Sequence, residues 1–216
     1  MNYTELVTAV SDYCENTFPT VDMNTLIAQA EQKIYNSVQI ANLRKNVTGT
    51  FTLNNKYLSC PSDFLSTYSI AVIKQNGDYL YLLNKDVNFI REAYPSASDT
   101  GLPKHYAIFG PQYTNEAELS FIVGPTPDYS YATELHYYYY PESIVTAGTT
   151  WLGDNFDSAL LNGTMMEAIT YMKGEPDMVK LYADRYAQAV ILLKNLGDGK
   201  QRMDAYRDGQ VRNPVQ

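Results

Sequence analysis

Apolar residues recur at helical spacing in two long segments near the C-terminus. The first segment, residues 156–171, is apolar over much of its circumference, which is typical of a helix buried inside a bundle. Pro176 then fits the first turn of a second helix, where its missing amide costs nothing. The stripe of this second helix consists of Met178, Leu181, Tyr182, Tyr186, Ala189, Leu192, Leu193 and Leu196. Gly197 is its expected end, and so short a turn predicts an antiparallel pair that needs another packing partner.

Two amphipathic helices are also predicted at the N-terminus. Asn2 and Glu5 have the spacing of a capping box, and the helix they begin should end before Pro19. The second helix is expected to start near Asn24 and to carry apolar residues on one side as far as Ala41. These two helices supply the apolar surface that the C-terminal pair requires.

Between the helical regions the pattern changes to one typical of strands. The expected strands are residues 47–53, 57–60, 68–74, 79–83, 104–109, 118–123 and 133–140, with a short helix at 85–94. The Asn76-Gly77 pair predicts a tight hairpin turn, because both residue types tolerate positive φ. The last strand is aromatic on both faces, so both faces are expected to be covered.

The order of helices, strands and helices predicts an α+β fold. We expect an α-helical bundle from the N- and C-terminal segments, an inserted, mostly antiparallel β domain, and an extended C-terminal arm. The expected divisions are 1–46 and 148–197 for the two halves of the bundle, 47–147 for the β domain and 198–216 for the arm. The arm has four basic and three acidic residues, and Met203 and Tyr206 lie one helical turn apart. It could bind a groove on another chain, although its composition fits a solvated terminus equally well.

Charge and composition narrow the classes of function. The 216 residues include 16 basic and 24 acidic ones, a net charge of −8, which argues against general affinity for nucleic-acid backbones. Cys14 and Cys60 are too few for a disulfide framework, no stretch is long and apolar enough for a membrane span, and no secretory signal is recognisable. A soluble protein made inside the cell is expected. The chain contains twenty tyrosines. This content is typical of surfaces that become buried on assembly, and equally of a β-sheet that uses tyrosine in half-buried strands.

Candidate catalytic and metal-binding residues are sparse. His105 and His136 are the only histidines, they lie on different expected strands, and neither has a cysteine or carboxylate at metal-binding spacing. The Gly197-Asp198-Gly199-Lys200 segment lacks the spacer of a phosphate-binding loop, and no catalytic triad is recognisable. The sequence therefore predicts no enzyme, no cofactor and no metal site. A tyrosine-rich module that binds glycans or peptides is the alternative from another class.

Eight short motifs occur in order along nearly the whole chain. They are YTELV at 3–7, IAQAEQKIY at 27–35, PSDFL at 61–65, GLPK at 101–104, GPTP at 124–127, YYPES at 139–143, TWLG at 150–153 and DAYR at 204–207. With this series of motifs the chain resembles the head-to-tail adaptor, or connector, proteins of tailed bacteriophages.

The resemblance implies a noncatalytic structural protein in the neck of the virion, made in the host cytoplasm. It implies a ring of about twelve copies below the portal protein, with the bundle forming the ring and DNA passing through the lumen without specific binding. The β domain is expected to meet tail or nozzle proteins, and the arm, residues 200–216, to reach the portal. The implied portal-binding residues are the apolar anchors Met203, Tyr206 and Val211 and the charged Arg202, Arg207 and Arg212.

Overall fold

Helices and strands separate into two units in the computed structural model, which describes residues 1–96, 98–110 and 119–196. The helical unit comprises Met1–Leu43 and Tyr140–Gln216, and the β unit comprises Arg44–Tyr139. The chain thus leaves the helical unit once, builds the β unit and returns. The predicted α+β fold is confirmed.

Residues 1–43 and 140–196, the described part of the helical unit, form six α-helices. They are α1 (Tyr3–Cys14), α2 (Thr20–Ser37), α4 (Ile144–Ala147), α5 (Trp151–Asn155), α6 (Asp157–Tyr171) and α7 (Pro176–Asn195). The capping box of α1 is confirmed, because the Asn2 side chain accepts from the Glu5 amide and the Glu5 carboxylate accepts from the Asn2 amide. Pro176 lies in the first turn of α7, as predicted. The predicted start of α2 near Asn24 is wrong, because the helix begins four residues earlier, directly after Pro19.

Helix α6 is the centre of the helical unit, as its apolar circumference predicts. It packs against α1, α2 and α7. Gly163 permits close packing against α2 and α7, since a β-carbon there would lie 3.4 Å from the β-carbon of Ala30 and 3.3 Å from the Tyr186 ring. The largest wholly buried side chains around it come from the N-terminal helices, namely Leu6, Met23, Ile27 and Ile34. Burial on several sides explains why α6 lacks a single apolar stripe.

The described residues of the β unit form two four-stranded sheets and one two-stranded ladder. Sheet A has the order β1 (Arg44–Phe51), β10 (Tyr131–Tyr138), β3 (Ser66–Ile73), β4 (Tyr79–Tyr81), and all its pairs are antiparallel. Sheet B has the order β2 (Tyr57–Ser59), β8 (Ser120–Gly124), β7 (His105–Phe109), β5 (Leu83–Asn84), with a parallel β5–β7 pair. The short strands β6 (Thr100–Gly101) and β9 (Thr126–Pro127) are also parallel. Helix α3 spans Val87–Ala93.

The β unit is layered, with its main core between the two sheets. Sheet A contributes alternate residues such as Ile70, Leu135 and Tyr137, and sheet B contributes Tyr106 and Phe121. A smaller cluster, consisting of Ile90 of α3 with Ala107 and Ile122, covers the other side of sheet B. The side of sheet A that faces away from the core has no such layer within the described part of the β unit.

Two expectations about the strands need correction. The last strand is not covered on both faces: Thr133, Leu135 and Tyr137 are buried, whereas the alternate residues between them are partly exposed. The hairpin between β3 and β4 exists, but only Gly77 has positive φ and the paired residues Ile73 and Tyr79 flank a five-residue loop. Aromatic residues on both faces of a strand do not reveal which face packs on the core.

The chain passes between the two units after Leu43 and after Tyr139. The functional divisions expected from the sequence, 1–46, 47–147, 148–197 and 198–216, stay predictions. Residues 44–46 belong with the β unit because they pair with β10. Residues 140–147 belong with the helical unit because α4 lies against α2, where the Ile144 amide donates to the Glu31 carboxylate.

Candidate docking surfaces

The outward side of sheet A carries a cluster of tyrosines, which we call the tyrosine face. Register places its residues together, because residues opposite one another in antiparallel strands share a face. Tyr138 lies opposite Arg44, and Tyr79 and Tyr81 lie opposite Ile73 and Ala71. The tyrosine face consists of Arg44, Tyr68, Tyr79, Tyr81, Glu134, His136 and Tyr138. Tyr68, Tyr79 and Tyr81 are more than half exposed.

One end of the tyrosine face is organised by Arg44. Its guanidinium carbon lies 4.4 Å from the ring centroid of Tyr68 and 5.7 Å from that of Tyr138. The two rings meet edge to face at 6.0 Å. The Arg44 Nε is buried without a hydrogen-bond partner among the described residues. Stacking between the cation and the rings therefore orients this guanidinium and holds both tyrosines in fixed positions.

The middle of the tyrosine face is organised by Glu134. Its carboxylate accepts a hydrogen bond from the Asn46 amide group at 2.5 Å, and its Oε1 lies 3.6 Å from the Nε2 of His136. A hydrogen bond to the same carboxylate raises the pKa of the Tyr79 phenol. His136 is held from its other side, where Nδ1 lies 3.3 Å from the Ser69 hydroxyl. Contacts among these polar groups therefore set the positions of their side chains.

At the start of β1, a polar cluster of Lys45, Asp63 and Tyr137 fixes the strand against β10. The Asp63 carboxylate accepts from the Lys45 ammonium at 2.7 Å and from the Tyr137 hydroxyl at 2.8 Å. The hydrogen bond from Lys45 is the main reason that the pKa of Asp63 is lowered. Burial, and then the bond to Asp63, raise the pKa of Tyr137 to about 12. The charge of Lys45 is therefore already balanced within the β unit.

The composition of the tyrosine face favours binding to a protein. Tyrosine and arginine are among the residue types that most often carry the binding energy of protein interfaces. Tyrosine gives a large contact area with few rotatable bonds, and arginine gives a planar, charged group with several hydrogen-bond donors. The carboxylate of Glu134 in its middle disfavours a phosphate backbone. Sequence reasoning did not single out these seven residues. The sequence did contain a signal for them: Tyr79 and Tyr81, like His136 and Tyr138, are two residues apart, which places each pair on one face of a strand.

A second exposed surface lies on α7 in the helical unit. This helix buries Tyr182, Ala189, Val190 and Leu193. Other apolar residues are exposed near the two ends of the helix, and we call these four residues the α7 stripe: Met178 and Leu181 near its start, Ile191 and Leu192 near its end. Leu192 is 62% exposed. The apolar stripe that the sequence predicts for this helix therefore combines residues from a buried face with residues from an exposed face. Of the predicted stripe, Met178, Leu181 and Leu192 lie outside the core. Because only some of the apolar side chains of α7 are buried within the chain, the exposed ones are available to a partner.

The predicted portal-binding residues lie outside the described residues. These are Arg202, Met203, Tyr206, Arg207, Val211 and Arg212. Gly197, the expected end of the last helix, lies outside them as well. The arm assignment therefore stays a prediction.

The remaining reactive side chains are held by structural contacts. The Nδ1 atom of His105 shares a hydrogen bond of 3.0 Å with the Tyr94 hydroxyl. Burial, and then the positive charges of Lys85 and Lys104, lower the pKa of His105. Burial raises the pKa of the Cys60 thiol to about 12, which keeps it protonated. Within the described ranges, no three acidic, histidine or cysteine residues are grouped to hold a metal ion. Among the same residues, no helix combines the length and apolarity needed to cross a bilayer.

Comparison with known proteins matches the chain to a protein family. A family model described as SU10 adaptor protein matches residues 1–214. The match spans both units and nearly all of the expected arm. No curated protein matches the chain significantly.

Proposed function

The chain belongs to the SU10 adaptor protein family, and from this membership we propose that it joins head and tail in a tailed bacteriophage. The observation that carries the proposal is the match over residues 1–214, which includes both units and nearly all of the arm. In this proposal the protein is a noncatalytic structural component of the virion neck, made in the host cytoplasm.

The helical unit, in this proposal, forms a ring of about twelve copies below the portal. The α7 stripe supports it, because exposed leucine, isoleucine and methionine side chains on one helix are costly in water and favour burial against a neighbour. A heterologous contact between α7 and a different surface of the next copy is the kind that closes a ring.

The β unit, in this proposal, provides the docking surface for tail or nozzle proteins. The tyrosine face supports this role, because its rings are already oriented by Arg44 and Glu134 before any partner arrives. A preorganised surface loses little conformational entropy on binding. The same arrangement gives the partner a defined pattern of hydroxyl groups.

DNA passes through the lumen of the proposed ring without specific binding. The net charge of −8 per chain supports this, since a strongly basic channel would hold the phosphates it has to release. The portal contact is assigned to the arm, residues 200–216, with Met203, Tyr206 and Val211 as apolar anchors and Arg202, Arg207 and Arg212 as charge partners.

Deleting residues 200–216 tests the arm assignment directly. We expect the truncated protein to keep its far-ultraviolet circular dichroism spectrum and thermal midpoint but to lose co-sedimentation with its cognate portal. Undiminished portal binding by the truncated protein would remove the arm from the proposal. The matched control is a full-length variant with Gln210 and Gln216 replaced by alanine, which keeps all six assigned residues.

A further inference from the structure

Strand β1 has a free edge that is long, regular and exposed. Among the described residues it pairs only with β10, in continuous register from Arg44 to Phe51. Its side chains from Lys45 to Thr50 are exposed on both faces of the sheet. In an antiparallel pair, alternate residues turn both the amide and the carbonyl away from the partner. About half of the backbone groups of β1 are therefore available to a further strand.

Beyond Arg44 and Lys45 at its start, this edge lacks the features that usually protect edge strands. Proteins blunt such edges with proline, bulges, short strands or charges. β1 spans eight residues without proline, its pairing shows no register shift, and residues 46–50 carry no charge. The opposite edge of sheet A, β4, is only three residues long. Of the two edges of sheet A, only β1 is therefore long and regular.

The sequence of β1 is complementary to itself in one antiparallel register. A two-fold axis perpendicular to the sheet pairs residues of equal parity, because facing residues must share a face. Centring the axis on Val47 places Val47 opposite Val47 of the second copy and Asn46 opposite Thr48. Lys45 then faces Gly49, and Arg44 faces Thr50. Neither basic residue meets its counterpart, so the pairing contains no like charges in opposition.

Other registers are less favourable. Parallel pairing in register would align Arg44 and Lys45 with the same residues of the second copy. Centring on Thr48 would place Val47, which is 37% exposed, opposite Gly49 and bury less apolar surface. Lys45 is moreover neutralised within its own chain by Asp63. The favoured occupant is thus a second copy, paired through Val47.

We propose that the unassembled protein forms a two-fold dimer through antiparallel pairing of β1 with β1 of a second copy. The dimer continues sheet A across both copies and closes on itself, since an isologous contact cannot propagate. It thereby shields an edge that would otherwise favour aggregation. This contact differs from the proposed ring contact, which uses the α7 stripe, so the two can fail independently.

Cysteine cross-linking tests the register. Cα atoms of directly opposed residues lie about 4.5–5.5 Å apart, within the span of a disulfide. Val47→Cys should therefore give a disulfide-linked dimer under mild oxidation. Thr50→Cys, on the same strand, should not, because its copies lie roughly 20 Å apart in this register. The unmodified chain, which retains Cys14 and Cys60, sets the background. Absence of the Val47→Cys dimer, or equal cross-linking by Thr50→Cys, would overturn the proposal.

Sedimentation equilibrium of the free protein tests the contact without oxidation. Val47→Lys places two ammonium groups opposite each other and should raise the dissociation constant of the dimer about tenfold. Leu53→Lys changes an exposed residue just beyond the paired strand and should leave the constant unchanged. Both variants should form rings on the portal. A wild-type protein that stays monomeric at every concentration would refute the dimer, whatever its behaviour with the portal.

Discussion

The buried carboxylate of Glu31 accepts a hydrogen bond of 2.9 Å from the amide of Ile144, 113 residues further along the chain. Glu31 lies in α2 and is 3% exposed, and Ile144 begins α4, where the chain has returned from the β unit. This contact fixes the start of α4 to α2. A carboxyl group at such a position is tolerated because it binds one free amide, that of Ile144, and the Ser143 hydroxyl at the start of a helix.

Removing this acceptor should destabilise the helical unit. Glu31→Ala leaves the Ile144 amide, and the Ser143 hydroxyl that also bonds to Glu31, without their partner in a buried place. We expect a loss of about 1–3 kcal/mol in the free energy of unfolding, measured by urea denaturation. Glu31→Gln keeps an acceptor and is the matched control. Equal stability of the alanine variant and the wild type would show that the contact does not hold α4 in place.

The ionisation of Glu31 should make stability depend on pH. Burial raises its pKa in the folded state, and this outweighs the hydrogen bonds from Ser143 and Ile144. A carboxyl whose folded pKa is raised contributes stability that is present below its unfolded pKa and is lost as pH rises through the folded pKa. Glu31→Gln should therefore gain stability relative to wild type as the pH rises above the ordinary glutamate pKa of about 4.3. A stability difference between the two proteins that stays constant with pH would contradict a raised pKa of Glu31.

Substitution in the tyrosine face should weaken binding to tail proteins without unfolding the β unit. Tyr81 is 60% exposed and lies on the edge strand β4, so Tyr81→Ala should leave thermal stability nearly unchanged. We expect about a tenfold or greater loss of affinity in co-sedimentation with tail components, as is typical when a tyrosine at a binding hot spot is replaced by alanine. Tyr13→Ala removes an equally exposed tyrosine from the helical unit and serves as control. Saturable sugar binding lost in Tyr81→Ala would instead favour a glycan-binding module.

Placing a charge in the α7 stripe should prevent ring assembly. Leu192→Asp introduces a carboxylate where we propose that a neighbouring copy packs, and desolvating that charge is unfavourable. We expect at least a tenfold loss in the yield of rings by negative-stain microscopy, with an unchanged circular dichroism spectrum. Val21→Asp, at a 76% exposed apolar position of α2, is the matched control. If both variants form rings as well as wild type does, the stripe is not the ring contact.

Local signals in the sequence predicted much of the fold. The side chains of Asn2 and Glu5, the ring of Pro176 and the backbone freedom of Gly77 act within a few residues, so their effects can be read directly from the sequence. The start of α2 was misplaced because no side chain caps it, and Pro19 sets the boundary instead.

The candidate surfaces depend on long-range packing and were harder to predict. Which apolar side of α7 is buried depends on where α6 lies, and which aromatic side of β10 is buried depends on the position of sheet B. Both elements are apolar or aromatic on two sides, so their own patterns cannot select one. Arg44 joined the tyrosine face only through its register with Tyr138. Residues brought together across many positions in this way require the structure.

Electron cryomicroscopy of the purified protein mixed with its cognate portal tests the central proposal most directly. We predict a ring of about twelve copies stacked on the portal, with the α7 stripe buried between neighbouring copies and the tyrosine faces exposed to the tail side. Portal particles that carry no added ring, while the protein stays dispersed under conditions in which it is folded, would contradict the proposal.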